Sequence, residues 1–230
     1  MKKGVFYGVS VGPGDPEHMT LKAVKILRRC DVIAAPTASK GRMLALEIAA
    51  ANVDMAGKTV LPLRLSMTRA AEQRRTEYRK AAEDVAAYLD AGVDVAMVNL
   101  GDVSIYATYS YLMKLLRERG YETVMIPGVS SFCAAAAGLG VSLTEGNEPI
   151  HIVSGQGELG ETLSLSGTKV LMKSGRHLPD VLQELEEREL LDKSMLAQNC
   201  GLPGETLCHD LSEYTSDGGE GYFTLVIVKE

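Results

Sequence analysis

Along the first half of the chain, short apolar runs alternate with longer stretches whose apolar residues recur every three or four positions. The runs Gly4–Val11, Asp31–Pro36, Thr59–Leu63, Val93–Leu100 and Tyr121–Pro127 predict strands. The stretches near Thr20–Arg29, Arg42–Ala51, Arg69–Ala91 and Ile105–Arg119 predict helices. The third helix is the clearest: Tyr78, Ala82, Val85 and Leu89 share one face, charges occupy the rest, and Gly92 supplies a stop. Strands that alternate with helices in this way imply right-handed crossovers and a mainly parallel sheet.

After Gly128 the pattern changes. A helix of small residues, Ser131–Leu139, precedes shorter strand candidates at Ile150–Ser154, Lys169–Lys173, Ser194–Gln198, Thr206–Asp210 and Tyr222–Lys229. One amphipathic helix, His177–Leu191, sits between the second and third of these. The strands are close together and separated by glycine-rich turns such as "GLPGE" and "SDGGEG", which predicts a mixed sheet. The reading is therefore an α/β chain of two α/β domains, residues 1–127 and 128–230, the first sheet mainly parallel and the second mixed.

Three strand-to-helix turns hold the informative residues. The first, "VSVGPGDPEHMTLKAVKIL" (9–27), has the outline of a phosphate loop without its chemistry. Such loops aim successive backbone N–H groups at an anion. Here Pro13 and Pro16 each remove an N–H, and Asp15 adds a negative charge. Neither the Gly-Lys-Ser/Thr of a P-loop nor the G-x-G-x-x-G of a dinucleotide fold is present. The second turn, "LGDVSIYATYSYL" (100–112), ends a buried strand at the level where ligands bind open α/β sheets. Gly101 permits close approach, Asp102 is either a helix cap or a ligand contact, and Ser104 is a further cap candidate. The third, "IPGVSSFCAAAAGLG" (126–140), offers Ser130 and Ser131 before a helix of small residues. It lacks the second glycine of a hydrolase elbow, which argues against a serine hydrolase. Tyr106, Tyr109 and Tyr111 read first as core or interface residues.

Composition narrows the class. The chain carries net charge −6 with no lysine- or arginine-rich run, which argues against a general nucleic-acid binder. Its four cysteines and four histidines are scattered, so neither a disulfide framework nor a metal site is expected. No run approaches the roughly 20 apolar residues of a membrane span. The opening Met1-Lys2-Lys3-Gly4 enters strand-like sequence directly, so cytoplasmic residence is expected.

Together the three turns resemble the tetrapyrrole methyltransferase family, whose members use S-adenosylmethionine. The resemblance continues through "AQNCGLPGE" to the terminal "YFTLVIVK". One branch, the precorrin-2 C20-methyltransferases of cobalamin synthesis, is closer still, on "LPLRLSMTRAAEQRRTEYRKAA", "GDVSIYATYSYL" and "VLMKSGRH". The resemblance implies a cofactor cleft between the two domains, a homodimer, and methyl transfer to carbon 20 of precorrin-2 or its cobalt-loaded counterpart. Carried over by position, S-adenosylmethionine contacts Pro13, Gly101, Asp102, Val103, Ile105, Ser130 and Ser131, with Met172, Cys200, Thr224 and Leu225 from the second domain. The family usually has proline after Gly-Asp; this chain has Val103, a swap expected to be tolerated.

The resemblance requires no general base, and Tyr106 and Asp102 are the candidates should one act. It also implies a substrate fringed with carboxylates. An acidic chain must gather positive charge locally to hold it, and Arg42, Arg64, Arg69, Lys173 and Arg176 lie near strand ends or helix starts. Arg42 and Arg69 are the preferred pair, because each is expected to open a helix where a cation opposes the dipole. The rival readings are a sibling enzyme acting on uroporphyrinogen III, another precorrin or ribosomal RNA, and a non-catalytic nucleotide-sensing α/β protein.

Overall fold

The structure, a computed structural model, describes residues 2–37, 41–65, 70–157, 159–215 and 221–229. It divides into two compact units, Met1–Ser130 and Ser131–Glu230.

In the first unit the strands are β1 (Phe6–Ser10), β2 (Val32–Thr37), β3 (Thr59–Arg64), β4 (Val95–Asn99) and β5 (Thr123–Ile126). They lie in the order β3-β2-β4-β1-β5, and every pair is parallel. The connecting helices are α1 (Leu21–Arg29), α2 (Leu44–Ala50), α3 (Ala71–Asp90) and α4 (Tyr109–Glu118). The side chains of β4 are buried throughout, as a central parallel strand covered on both faces requires. Alternation splits the strand residues between two cores. Phe6, Val32, Ala34, Val95 and Met97 meet Ala82, Val85 and Leu89 of α3 and Leu112 and Leu116 of α4. Gly92, at φ 79, receives the end of α3 and donates to Leu89 O.

Room for one large residue is made by a missing side chain. A Cβ at Gly8 would come within 2.6 Å of the Tyr109 ring. Tyr109 is fully buried, its ring centroid 4.9 Å from that of Phe6, and its hydroxyl donates toward Phe6 O at 3.0 Å and Val124 O at 3.1 Å. Burial pushes its phenol up to about 12.

The second unit carries α5 (Ser131–Gly138), β6 (Ile150–Ser154), α6 (Gly160–Leu163), β7 (Thr168–Met172), α7 (Leu178–Glu187), β8 (Ser194–Gln198), β9 (Thr206–Cys208) and β10 (Thr224–Val228). Its sheet runs β6-β7-β10-β8-β9 and is mixed: β6 and β7 are parallel, the other pairs antiparallel. The α/β class, the parallel first sheet and the mixed second sheet agree with the sequence reading.

Several boundaries differ. The helix expected from Ile105 starts at Tyr109, for reasons found in the loop described below. The helix expected from Arg42 starts at Leu44, and the one expected from Arg69 starts at Ala71. The helix expected over His177–Leu191 is shorter because Glu189 adopts φ 56, which ends it after Glu187. The short α6 and the 3-10 turn Pro16–His18 have no counterpart in the sequence reading.

Candidate active site

Chain order and sheet order together point to a candidate site. The connection leaving β1 crosses over β4 to reach β2, and the connection leaving β4 crosses over β1 to reach β5. The two depart in opposite directions, which makes the carboxyl ends of β1 and β4 the sheet's switch point, the level at which open α/β sheets bind ligands. The three turns singled out from sequence follow β1, β4 and β5, three adjacent strands of this edge.

These turns are joined into one unit. Gly12 and Gly101 form an antiparallel bridge, with Gly101 N donating to Gly12 O at 2.8 Å. Both glycines have positive φ, 76 and 66, which lets the two backbones meet. Ser10, fully buried at the end of β1, accepts the backbone N–H of Val103 on Oγ at 2.8 Å. Asp102 then ties the second turn to the third: Oδ2 accepts Gly128 N at 2.7 Å. Its other oxygen accepts Ser104 N at 2.8 Å and the Ser104 hydroxyl. A Cβ at Gly128 would collide with Ser10 Cβ and stand 3.2 Å from Gly101 O, so only glycine fits there.

Asp102 is therefore not a helix cap. Nor is Ser104: α4 begins after Thr108, and no side chain caps it. Ile105 N donates to Asp102 O, which closes a tight turn, and Tyr106 reverses the chain in the left-handed region at φ 49. That conformation costs a non-glycine residue on the order of 1 kcal/mol. The turn explains why the helix starts late. Burial of Asp102 works to raise its pKa, but the hydrogen bonds from Ser104 and Gly128 outweigh it and hold the carboxyl below its ordinary range.

The first turn is not built for phosphate. Glu17 N donates to Asp15 Oδ1, His18 N to Asp15 O, and Met19 N to Pro16 O. Thr20 Oγ1 caps α1 by accepting Ala23 N at 3.1 Å. The N–H groups of Glu17, His18 and Met19 are engaged within the turn, Pro13 and Pro16 supply none, and the nearby charges of Asp15, Glu17 and Asp102 are negative. Such an edge fits a ligand with a cationic centre better than a polyanion.

The structure thus brings Pro13, Gly101, Asp102, Val103, Ile105 and Ser130 to one edge of the first sheet, Ser131 following as the first residue of α5. Pro13 and Val103 are buried, and Ile105, Ser130 and Ser131 are half-buried. Within the second unit, Met172, Cys200, Thr224 and Leu225 likewise gather at one end of its sheet. Thr224 pairs with Gln198, Asn199 N donates to Phe223 O, and Ser174 N donates to Thr224 O at 2.9 Å. Burial, with Glu205 beside it, pushes the Cys200 thiol up to about 11. Ser10 and Gly128 were missed as site residues. The one hint in the sequence for Ser10 is a polar side chain closing an apolar strand.

The basic residues fall into separate places. Arg42 lies ahead of α2 rather than in its first turn, and its guanidinium makes three bonds of 2.8–3.1 Å to the Glu47 carboxylate. The unanswered charge expected there is answered within the chain. Arg69 lies outside the described residues. Arg64 is exposed at the end of β3. Lys173, at φ 60, follows β7 with its ammonium 5.7 Å from the Tyr222 ring centroid, and Arg176 is exposed in the adjoining 3-10 turn.

The family model described as Tetrapyrrole (Corrin/Porphyrin) Methylases matches residues 5–213. The chain belongs to this family. A "Probable cobalt-precorrin-2 C(20)-methyltransferase" of Methanocaldococcus jannaschii is 32% identical over 97% of this chain and 95% of its own length. A "Precorrin-2 C(20)-methyltransferase" of Sinorhizobium sp is also 32% identical, over 98% of this chain and 95% of its own. Among solved structures, a uroporphyrin-III C-methyl transferase of Thermus thermophilus, complexed with S-adenyl homocysteine, has a TM-score of 0.71 at 19% identity. It covers 99% of this chain and 98% of its own, and at that identity the likeness shows the fold. Among the described residues no helix is long and apolar enough to cross a membrane.

Proposed function

We propose that this tetrapyrrole methylase is an S-adenosylmethionine-dependent C-methyltransferase that methylates carbon 20 of precorrin-2 or its cobalt-loaded counterpart in cobalamin biosynthesis. The observation that carries this reading is the match, over nearly the full length of both chains, to two C20-methyltransferases. The acidic, donor-poor edge beyond β1, β4 and β5 supports the cofactor.

Bound S-adenosylmethionine would supply a methyl group on a cationic sulfonium whose leaving group is a neutral thioether. The residues to hold it are Pro13, Gly101, Asp102, Val103, Ile105, Ser130 and Ser131, with Met172, Cys200, Thr224 and Leu225 of the second unit. Because little anionic charge develops, the protein's work is alignment and exclusion of water. Asp102 is a poor base, since the hydrogen bonds that depress its pKa also occupy its oxygens. Its role is to hold the turns together. Cys200, with its thiol held protonated at neutral pH, is a packing contact rather than a nucleophile. Lys173 and Arg176 are the cations for the substrate's carboxylates. Arg42 joins them only by giving up Glu47, and Arg69 is retained from the sequence reading. The working form is a cytoplasmic homodimer.

The test is turnover by the purified chain with S-adenosylmethionine and three substrates: precorrin-2, its cobalt-loaded counterpart and uroporphyrinogen III. A gain of one methyl by the first or second, and none by the third, is expected. Methylation of uroporphyrinogen III alone would overturn the reading.

A further inference from the structure

Asp102–Ile105 is a β-turn closed by Ile105 N on Asp102 O at 3.2 Å, which puts Val103 at its second position. Proline is favoured at that position, because its ring holds φ near about −65° before the turn forms. Valine has no ring, so the entry to the turn is left to a contact. Ser10 supplies it: its Oγ accepts Val103 N at 2.8 Å, and the residue has no solvent exposure. We propose that Ser10 is a positioning residue for S-adenosylmethionine, its hydroxyl holding the turn after β4 as a ring at residue 103 would. This deepens the cofactor reading and rests on it.

Ser10 is also where the three turns meet. It is the last residue of β1, so the first turn departs from it. It pairs with Asn99, the last residue of β4, and its hydroxyl holds the second turn at Val103. A Cβ at Gly128, in the third turn, would stand 2.4 Å from Ser10 Cβ. Asp102 closes the circuit by accepting Gly128 N at 2.7 Å. The contact under Gly128 is made by Cβ, which alanine would keep; the hydroxyl serves the second turn. That turn carries Gly101, Asp102 and Val103, three of the residues assigned to the cofactor. An edge already fixed by a buried bond need not be ordered when the ligand arrives, and affinity gains by that amount.

The test is titration calorimetry with S-adenosylhomocysteine on the wild type, Ser10→Ala, Ser10→Ala/Val103→Pro and Tyr109→Phe, with melting temperatures alongside. Ser10→Ala should raise the Kd about five- to tenfold, as for an N–H left without its buried partner. Adding Val103→Pro removes that N–H and supplies the ring, so the double variant should return to within about twofold of the wild type. Tyr109→Phe loses a buried hydrogen bond elsewhere in the same unit. It should lower the melting temperature yet move the Kd by less than about twofold. Four results would overturn the assignment alone: an unchanged Kd in Ser10→Ala, a double variant as weak as Ser10→Ala, a Tyr109→Phe equally weakened, or a Ser10→Ala chain that does not fold. A wild type that binds no S-adenosylhomocysteine would overturn the cofactor reading and this assignment with it.

Discussion

Asp102 accepts the backbone N–H of Gly128 at 2.7 Å, and through this one bond the turn after β4 holds the turn after β5. The same carboxylate closes its own turn on Ser104. Asp102→Ala should therefore weaken S-adenosylmethionine binding by about 1–3 kcal/mol, the usual loss for a buried hydrogen-bonding group. Titration calorimetry measures it, and an unchanged affinity would separate the turns' order from cofactor binding. Ser130→Ala should do less.

The depressed pKa of Asp102 fixes a pH dependence. Its stabilising contribution is complete above the unfolded carboxylate value of about 3.9 and is lost as pH falls through the lower folded value. The gap in melting temperature between wild type and Asp102→Asn should therefore stay constant from about pH 5 to 8 and close only in stronger acid. A gap that closes near neutrality would contradict the assigned hydrogen bonds.

Val103 supplies an N–H that proline lacks, and Ser10 Oγ receives it in a fully buried place. Val103→Pro should lower stability by about 1–3 kcal/mol by leaving the Ser10 hydroxyl short of a partner. Adding Ser10→Ala should return part of that loss. Denaturant unfolding of the single and double variants measures the coupling, and strict additivity would argue against it.

Tyr109 gives the alkaline counterpart. Its folded pKa of about 12 lies above the ordinary phenol value, so its contribution is full below about pH 10 and is lost as pH rises toward the folded value. Tyr109→Phe should cost about 1 kcal/mol at neutral pH, where a hydrogen bond to strand carbonyls is removed. It should also flatten the fall in stability above about pH 10.

Lys173→Gln and Arg176→Gln should raise the tetrapyrrole KM by roughly 5- to 50-fold together, in the range of lost charge-assisted contacts, and leave S-adenosylmethionine affinity nearly unchanged. Arg42→Gln should have a smaller effect, because Glu47 already holds its guanidinium. Steady-state kinetics with both ligands distinguish recognition from misfolding, in which the two weaken together.

Local periodicity made most of the architecture legible. The buried face of α3, its stop at Gly92 and the strand positions all follow from spacing along one segment. What sequence left out is non-local. Nothing near Asp102 indicates that its carboxylate selects an N–H 26 residues away, and that choice turns an expected helix start into a tight turn ended by Tyr106. The helix start expected at Arg42 is displaced for a related reason. Helix dipole reasoning assumed a first turn at that residue, whereas the helix begins at Leu44 and Glu47 folds back onto the guanidinium. The meeting of the three turns, by contrast, was recoverable, because turns beyond parallel strands converge wherever those strands are adjacent.

The most direct measurement is the position of the transferred carbon. Turnover of precorrin-2 or its cobalt-loaded counterpart with methyl-labelled (¹³C) S-adenosylmethionine, followed by carbon NMR of the product, reads it without ambiguity. The account predicts a single enriched methyl attached to carbon 20, formed one-for-one with S-adenosylhomocysteine. Label at any other carbon, or cofactor binding without transfer to either substrate, would contradict it.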